Sequence, residues 1–515
     1  MKTASLNRRD FLKVLGLSPL LFVDWERYGL ETIRRSASPQ PPNILVIVFD
    51  AMSARNLSLY GYPRQTTPNL ERIARQATVF HRHYAAGNFT SPGTASMLTG
   101  VYPWTHRALQ MRSQTLEPFS DRNIFALLSG RYHTFAYTHN PFVYTLLQQF
   151  RGHIDQLTKI ADLALLSDAL AERLLDYDYF VANEAELLLL KAEYDPPGSL
   201  FLSLLDQWKR KTQTRQLIEA NQDQYPRGLP NCRITKGASQ CFDLGEAIDW
   251  IRLQASSQPA PFLGYVHLFP PHAPYNVPKQ YNALFRDEWK PPAKPQHHFT
   301  AGEKQKKLNM LRREYDEYIA YVDAEFGRLY DALQEDGVLE NTCLIFTTDH
   351  GEMLERGISG HANPTLYEPI IQVPLLISKP GQKQRQDILI PTSAVDLLPT
   401  LLELAGEPQP AWVEGRVLPG FAAQARLAGQ SVFALEAKQS PKIGTLTKAT
   451  ASLIKDDYKL IYYTGYPGFD EVYELYDLGT DTEEMQNLYS PSNDIAQAMK
   501  DELLAKLGQV GAVQP

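Results

Sequence analysis

Cysteine is scarce: three in 515 residues. That excludes a disulfide-scaffolded fold, so stability has to come from a buried core. Cys232 and Cys241 lie close together in a polar segment and can pair in an oxidising compartment. Cys343 opens an apolar run and reads as a buried thiol. No apolar run reaches the length of a membrane span. Basic charge is short as well. Lys and Arg total 51 against 58 Asp and Glu, for a formal charge of -7, and the basic residues are dispersed. Phosphate backbones need a concentrated basic face, which argues against a nucleic-acid partner. There is no internal repeat and no low-complexity tract. What remains is ordinary globular composition, 43% hydrophobic and 21% charged, in a chain long enough for one large α/β domain plus a smaller one.

The patterning divides the chain into three. Residues 1–38 read as a targeting segment and linker. Asn7-Arg8-Arg9-Asp10-Phe11-Leu12-Lys13 has the form of a twin-arginine export motif, followed by a short apolar stretch from Val14 to Val23. Ser36-Ala37-Ser38 is the candidate cleavage site; without cleavage the segment stays as an anchor. The implied partner is the twin-arginine export machinery, and the implied location is extracytoplasmic.

Residues 39–430 alternate strand and helix. Asn43 to Phe49 is continuous and β-branched, as in a strand buried on both faces of a parallel sheet. Thr67-Pro68-Asn69 starts a helix over Leu70 to Gln76, capped by Thr67 or Asn69, and a second helix spans Ala95 to Leu98. Strands are expected over Phe262 to Leu268, Thr342 to Thr347 and Val373 to Ile377. Helices are expected over Lys304 to Leu333 and from Asp396 to Leu402. Residues 150–255 interrupt this alternation with helical patterning, Ile160 to Leu175 and Glu184 to Glu193, and read as a helical insertion. Residues 431–515 form a smaller subdomain of short strands, Tyr458 to Tyr462 among them, closed by a helix over Asp494 to Leu507. The expected fold is α/β: a large, mostly parallel central sheet flanked by helices, with a smaller C-terminal α+β subdomain.

Two carboxylates end buried strands. Asp50 closes the first, and Thr347-Thr348-Asp349-His350-Gly351-Glu352 follows another. Ligands of open α/β sheets bind at that carboxyl edge, and a carboxylate buried there is costly unless it meets a cation or a donor. Two oxygen ligands with an imidazole suit Zn²⁺ or Mn²⁺ better than Ca²⁺. Thr90 and Ser91 are the hydroxyls in the segment that leads into the second helix, whose N-terminus suits an anion.

Asn88-Phe89-Thr90-Ser91-Pro92-Gly93-Thr94-Ala95-Ser96-Met97-Leu98-Thr99-Gly100, together with the strand ending at Asp50, resembles the nucleophile segment and first metal strand of the sulfatase family in the alkaline phosphatase superfamily. The family pattern is Cys-x-Pro-Ser-Arg with a Leu-Thr-Gly ending. Alignment on Pro92 and Thr99-Gly100 puts Thr90 at the cysteine and Thr94 at the arginine. A threonine cannot become formylglycine, the sulfatase nucleophile. Ala51 stands where a second aspartate is usual, and His350 where asparagine is frequent. The remaining set of Asp50, Thr90, Asp349 and His350 resembles the metal site of lipoteichoic acid synthases and phosphoethanolamine transferases, as does Tyr60-Gly61-Tyr62-Pro63-Arg64-Gln65-Thr66-Thr67-Pro68.

The resemblance implies one divalent metal, with room for a second held by His272 and His361. It implies Thr90 as nucleophile through a phosphothreonine intermediate. Pro270-Pro271-His272-Ala273-Pro274-Tyr275 implies that His272 contacts the anion or protonates the leaving group, and His361 takes over the contact of a missing lysine. His267, on the strand itself, reads as structural. Arg55, His139 and Asn140 are candidate substrate contacts, with an exposed arginine and a surface histidine as the plainer readings of the first two. Tyr321 to Leu329, Glu474-Leu475-Tyr476-Asp477-Leu478 and Asn487-Leu488 extend the resemblance to the C-terminus. The function implied is cleavage of phosphate esters, small or on an envelope polymer. The alternatives are a sulfuric ester hydrolase without formylglycine, a phosphotransferase to an alcohol, and an inactive glycan-binding module.

Overall fold

A computed structural model describes residues 41–165, 200–230, 241–421 and 430–511, without the side chains of 200–207, 209 and 210. The chain divides into two units at Pro41, and everything below concerns the second, Pro42–Pro515. The export motif, Cys232, most of Ile160 to Leu175 and all of Glu184 to Glu193 lie outside the described residues.

The first strands in chain order are β1 (Asn43–Phe49), β2 (Thr78–Tyr84), β3 (His133–Thr138), β4 (Gln156–Leu157), β5 (Phe262–Leu268) and β6 (Thr342–Thr347). There follow a small ribbon, β7 (Leu354–Glu355) and β8 (Ile358–Ser359), and then β9 (Gln372–Ser378), β10 (Gln386–Ile388) and β11 (Thr392–Ser393). The large sheet runs β10-β2-β9-β6-β1-β5-β3-β4, with β11 also on β2. β9 pairs antiparallel with both its neighbours; every other pairing in this sheet is parallel.

β1 lies at the centre and alternates its buried side chains between two helical layers. Leu45, Ile47 and Phe49 pack with the helices Pro68–Ala74, Leu244–Ser257 and Gln305–Glu335. Ile44, Val46 and Val48 pack with Thr90–Thr99, Pro141–Gln149 and Leu397–Ala405. Leu244–Ser257 falls almost wholly inside the stretch read as an insertion, yet Leu244, Ala247, Ile248, Ile251 and Ala255 are core residues. Helical spacing alone does not separate a covering helix of the sheet from an inserted one. The cap expected at Thr67 or Asn69 is supplied instead by Asp323, whose carboxylate accepts from the backbone N–H of Asn69 (2.9 Å) and Leu70 (2.8 Å).

A second sheet follows: β12 (Ser431–Glu436), β13 (Ala449–Lys455), β14 (Tyr458–Thr464) and β15 (Val472–Asp477), antiparallel in that order. One face packs on the closing helix Asp494–Gln509 through Ala496, Met499, Leu503 and Leu507. The other covers Tyr367, Ile370 and Ile371 beside β9. Lys459, fully buried on β14, pairs with Glu368 (2.9 Å) and Glu484 (2.5 Å), which fixes this sheet to the large one. Cys241 is disulfide-bonded and Cys343 is a buried free thiol. Among the described residues no helix is long and apolar enough to cross a membrane.

Candidate active site

Four parallel neighbours, β6-β1-β5-β3, end at one edge and deliver the site. Their register aligns Val48 with both Thr347 and His267, and His267 with Thr138. Asp50, His267, Asp349, His350, His139 and Asn140 therefore reach the same edge from strands far apart in sequence. Asp50, His267, Asp349 and His350 have no solvent exposure.

Asp50, His267 and Asp349 each offer a ligand atom, all within 4.8 Å of one another. His267 Nε2 lies 3.6 Å from Asp50 Oδ2 and 3.7 Å from Asp349 Oδ2. His350 Nε2 lies 3.4 Å from Asp50 Oδ1 and 3.6 Å from Asp349 Oδ2. Asp50 Oδ1, Asp349 Oδ2 and His267 Nε2 have no hydrogen-bond partner. Three buried polar atoms left without partners around one point are costly, and a divalent cation would satisfy them together. The ring nitrogens facing away are held: His267 Nδ1 by the Tyr265 hydroxyl (3.1 Å), His350 Nδ1 by the Gly351 carbonyl (2.8 Å). Fixing the far nitrogen is how proteins orient metal-binding imidazoles.

The charge balance agrees. Burial opposes ionisation of Asp50, yet His267 and His350 beside it hold it well below the usual carboxylate range. Burial and the neighbouring Asp50 charge raise Asp349. Burial alone would lower His350, but Asp349 and Asp50 lift it to about 9. The two carboxylates therefore repel each other and draw positive charge towards them, and a divalent cation would relieve that repulsion.

Thr90 is the first residue of the helix Thr90–Thr99 and is buried. Its Oγ1 lies 3.4 Å from His350 Nε2. Asn140 caps the helix Pro141–Gln149 by accepting from Phe142 N–H (2.8 Å). That fixes the amide orientation, so Nδ2 must face the site. It donates to Asp50 Oδ2 (2.5 Å) and to Thr90 Oγ1 (3.4 Å). Asn140 thus contacts the nucleophile candidate and a candidate metal ligand. Gly93, in the first turn of the Thr90 helix, lets the helix touch the Asp349 backbone: a Cβ there would lie 2.3 Å from the Asp349 carbonyl oxygen.

A second pair of imidazoles adjoins the first. The His361 ring is 4.2 Å from His350 and 4.8 Å from His272. His361 Nδ1 meets Glu352 Oε1 at 3.2 Å, and Tyr275 donates to Glu352 Oε2 at 3.1 Å. Burial opposes ionisation of Glu352, but His361, His272 and His350 keep it below its ordinary value. His272 Nδ1 faces the Ala273 carbonyl at 2.8 Å, and burial lowers the ring's pKa.

Three residues sit in surroundings that the sequence did not show. His267 is not merely a strand residue; its ring is central to the cluster. Arg55 is ion-paired with Glu483, which also holds Lys294, so its charge is already committed. His139 stacks on Phe242 with centroids 3.7 Å apart, and burial pushes it down to about 3; neutral and stacked, it offers no positive charge to an anion. The signal for His267 was available in part. Ala51, in a left-handed turn (φ 59°) beside Asp349, leaves the site one carboxylate short, and β5 is the strand next to it.

A family model described as sulfatase matches residues 42–407, and one for the C-terminal part of N-sulphoglucosamine sulphohydrolase matches 362–510. An uncharacterised sulfatase, YidJ of Escherichia coli, is 24% identical over 499 residues, covering 91% of this chain and 88% of that one. Human N-acetylgalactosamine-6-sulfatase is 24% identical, covering 77% and 69%. Among solved structures, a protein in complex with its substrate D-glucosamine-2-N,6-O-disulfate superposes with TM-score 0.64, 18% identity and coverage of 92% and 98%. A phosphonate monoester hydrolase from Silicibacter pomeroyi superposes with TM-score 0.60, 19% identity and coverage of 91% and 95%. At such identities the superpositions show the fold alone.

The family match defines an ester-bond hydrolase of the alkaline phosphatase-like superfamily. The sulfatase match spans most of the chain, and the chain belongs to the sulfatase family. That family generally binds a divalent metal, and Asp50, His267 and Asp349 form a group that could hold one.

Proposed function

We propose that the protein is an exported, metal-dependent hydrolase of phosphate esters, mono- or di-, with Thr90 as nucleophile. The carrying observation is a buried threonine hydroxyl at a helix N-terminus, 3.4 Å from His350 and bonded to Asn140, beside a cation-seeking cluster. Asp50, Asp349, His267 and His350 would hold the metal, and two imidazoles among four ligands favour Zn²⁺ or Mn²⁺ over Ca²⁺. When bound, it supplies Lewis-acid stabilisation of charged oxygens at the reacting centre.

The chain's own groups do the rest. The Asn140 donor and the helix N-terminus orient Thr90 Oγ1 and favour negative charge beside it. Oγ1 bonds to phosphorus as the ester's leaving oxygen departs, forming a phosphothreonine that water then resolves. The two outer histidines differ in their backing. His361, facing the Glu352 carboxylate, suits proton donation to the leaving oxygen; His272, facing a carbonyl and kept neutral by burial, suits proton acceptance. The twin-arginine-type segment supports export, and the Cys241 disulfide fits an oxidising compartment.

A sulfuric ester hydrolase is the second reading, favoured by the sulfatase names of the relatives. Rates on nitrophenyl phosphate, a phosphate diester, a phosphonate monoester and nitrophenyl sulfate, with Zn²⁺ or Mn²⁺, separate the two. Dominant phosphate-ester turnover supports the first reading; dominant sulfate turnover replaces it with the second.

A further inference from the structure

In a chain of net charge -7, Arg107, Lys438 and Lys442 form no ion pair among the described residues. The loop between β12 and β13, residues 437–448, lies against the loop 107–116. Gln110 donates to Ser440 O (2.7 Å), Arg107 to Gly444 O (2.8 Å) and Lys442 to Thr115 O (3.4 Å). Lys438 donates to the carbonyl of Ala362, which follows His361. Asn88, two residues before Thr90, donates to the carbonyls of His361 and Asn363. The loop therefore starts beside the catalytic segment and leads away from it.

At its far end is an open cleft of about 380 Å³, lined by Arg107, Lys442, Leu116, Ile443 and Thr445 among others. Ile443 is 79% exposed, whereas Arg107 is buried. Among the described residues, Arg107, Lys438 and Lys442 form no ion pair, only contacts with backbone carbonyls. The nearby Glu436 is occupied by the Tyr466 hydroxyl and the Lys438 backbone N–H. Burial lowers the pKa of all three cations, although Glu436 partly offsets this for Lys438. Partly buried cations without counter-ions are costly, and a visiting anion relieves that cost.

We propose that this cleft is an anion subsite, so that the substrate of the Thr90 site is a polyanion. One ester group lies at Thr90 while a second anionic group sits between Arg107 and Lys442, with Lys438 between the two. Lys438 and Lys442 are four residues apart, at most about 14 Å along the chain, a spacing that neighbouring units of one oligomeric substrate can span. The apolar edge at Leu116 and Ile443 suits the carbon face of a sugar or polyol backbone. This inference rests on the ester-hydrolase reading, but it is tested by binding and not by turnover.

The test is fluorescence anisotropy of labelled dextran sulfate with the full chain, beside uncharged dextran and inorganic sulfate as competitor. Dextran sulfate should bind and dextran should not. Lys438→Gln and Lys442→Gln should each weaken binding by up to about tenfold, as for loss of a charge-assisted contact. Lys442→Gln, at the far end of the loop, should keep wild-type kcat/KM on a small nitrophenyl ester. Unchanged dextran sulfate affinity in the double variant overturns the subsite. So does an equal loss on the small ester in Lys442→Gln, which would put that lysine in the reaction pocket instead. Failure of Thr90 as nucleophile would leave the binding result intact.

Discussion

Gly93→Ala sets two forces against each other. Gly93 is in the first turn of the helix Thr90–Thr99, and glycine-to-alanine exchange in a helix ordinarily stabilises it by up to about 1 kcal/mol. Here the new Cβ would lie 2.3 Å from the Asp349 carbonyl oxygen and 3.0 Å from its carbonyl carbon. Both are backbone atoms, so no side chain can rotate away. Relief requires the Thr90 helix and the Asp349 loop to part by roughly 1 Å, and overpacking of this kind costs about 1–3 kcal/mol. A displacement of that size between nucleophile and metal ligand lowers turnover by about 10²-fold. The expected outcome is a folded protein with a lower Tm, kcat/KM down about 10²-fold at saturating metal, and weaker metal affinity. Gly152→Ala, where a Cβ meets nothing within 4 Å, is the control and should match wild type. Wild-type kcat/KM in Gly93→Ala would refute the claim that helix and loop are held together as one site.

Asn140→Asp should retain the helix cap but put a third carboxylate against Asp50, lowering activity and, in metal-free protein, stability as well. Asn140→Leu should lose both the cap, about 1 kcal/mol, and activity, by about 10²-fold or more; denaturant melts and steady-state rates separate the two. Acid should destabilise the fold through His83 and His106, each lowered from 6.5 to about 3 by burial. Their folded pKa values are depressed, so stability is whole above pH about 6.5 and is lost as pH falls towards about 3. At pH 5 each costs about 2 kcal/mol, read as a falling Tm. Metal-stripped protein should gain Tm on addition of Zn²⁺ or Mn²⁺, about 2.7 kcal/mol at a hundredfold excess over Kd, and His267→Ala should lose that gain. Arg55→Ala should leave kcat/KM within about twofold, because a partly exposed pair with Glu483 is worth about 0–1 kcal/mol.

The sheet was legible because β1, β5, β6 and β9 are apolar runs buried on both faces, and the site was legible where its residues follow those runs directly. Asp50, Asp349 and His350 stand within three residues of a strand end. His267 was not, since its role depends on the register that sets it opposite Val48 on a strand more than two hundred residues earlier. The surroundings of Arg55 and His139 were hidden for the same reason: their partners, Glu483 and Phe242, are distant in sequence. Leu244–Ser257 looked like part of an insertion because helical periodicity states which face is apolar but not what covers it.

The most direct test of the central claim is rapid-quench mass spectrometry during turnover of a phosphate ester by the Zn²⁺- or Mn²⁺-loaded enzyme. The account predicts a transient phosphoryl adduct on the peptide carrying Thr90, lost together with activity in Thr90→Ala. An adduct on Ser91, or turnover that survives in Thr90→Ala, would contradict it.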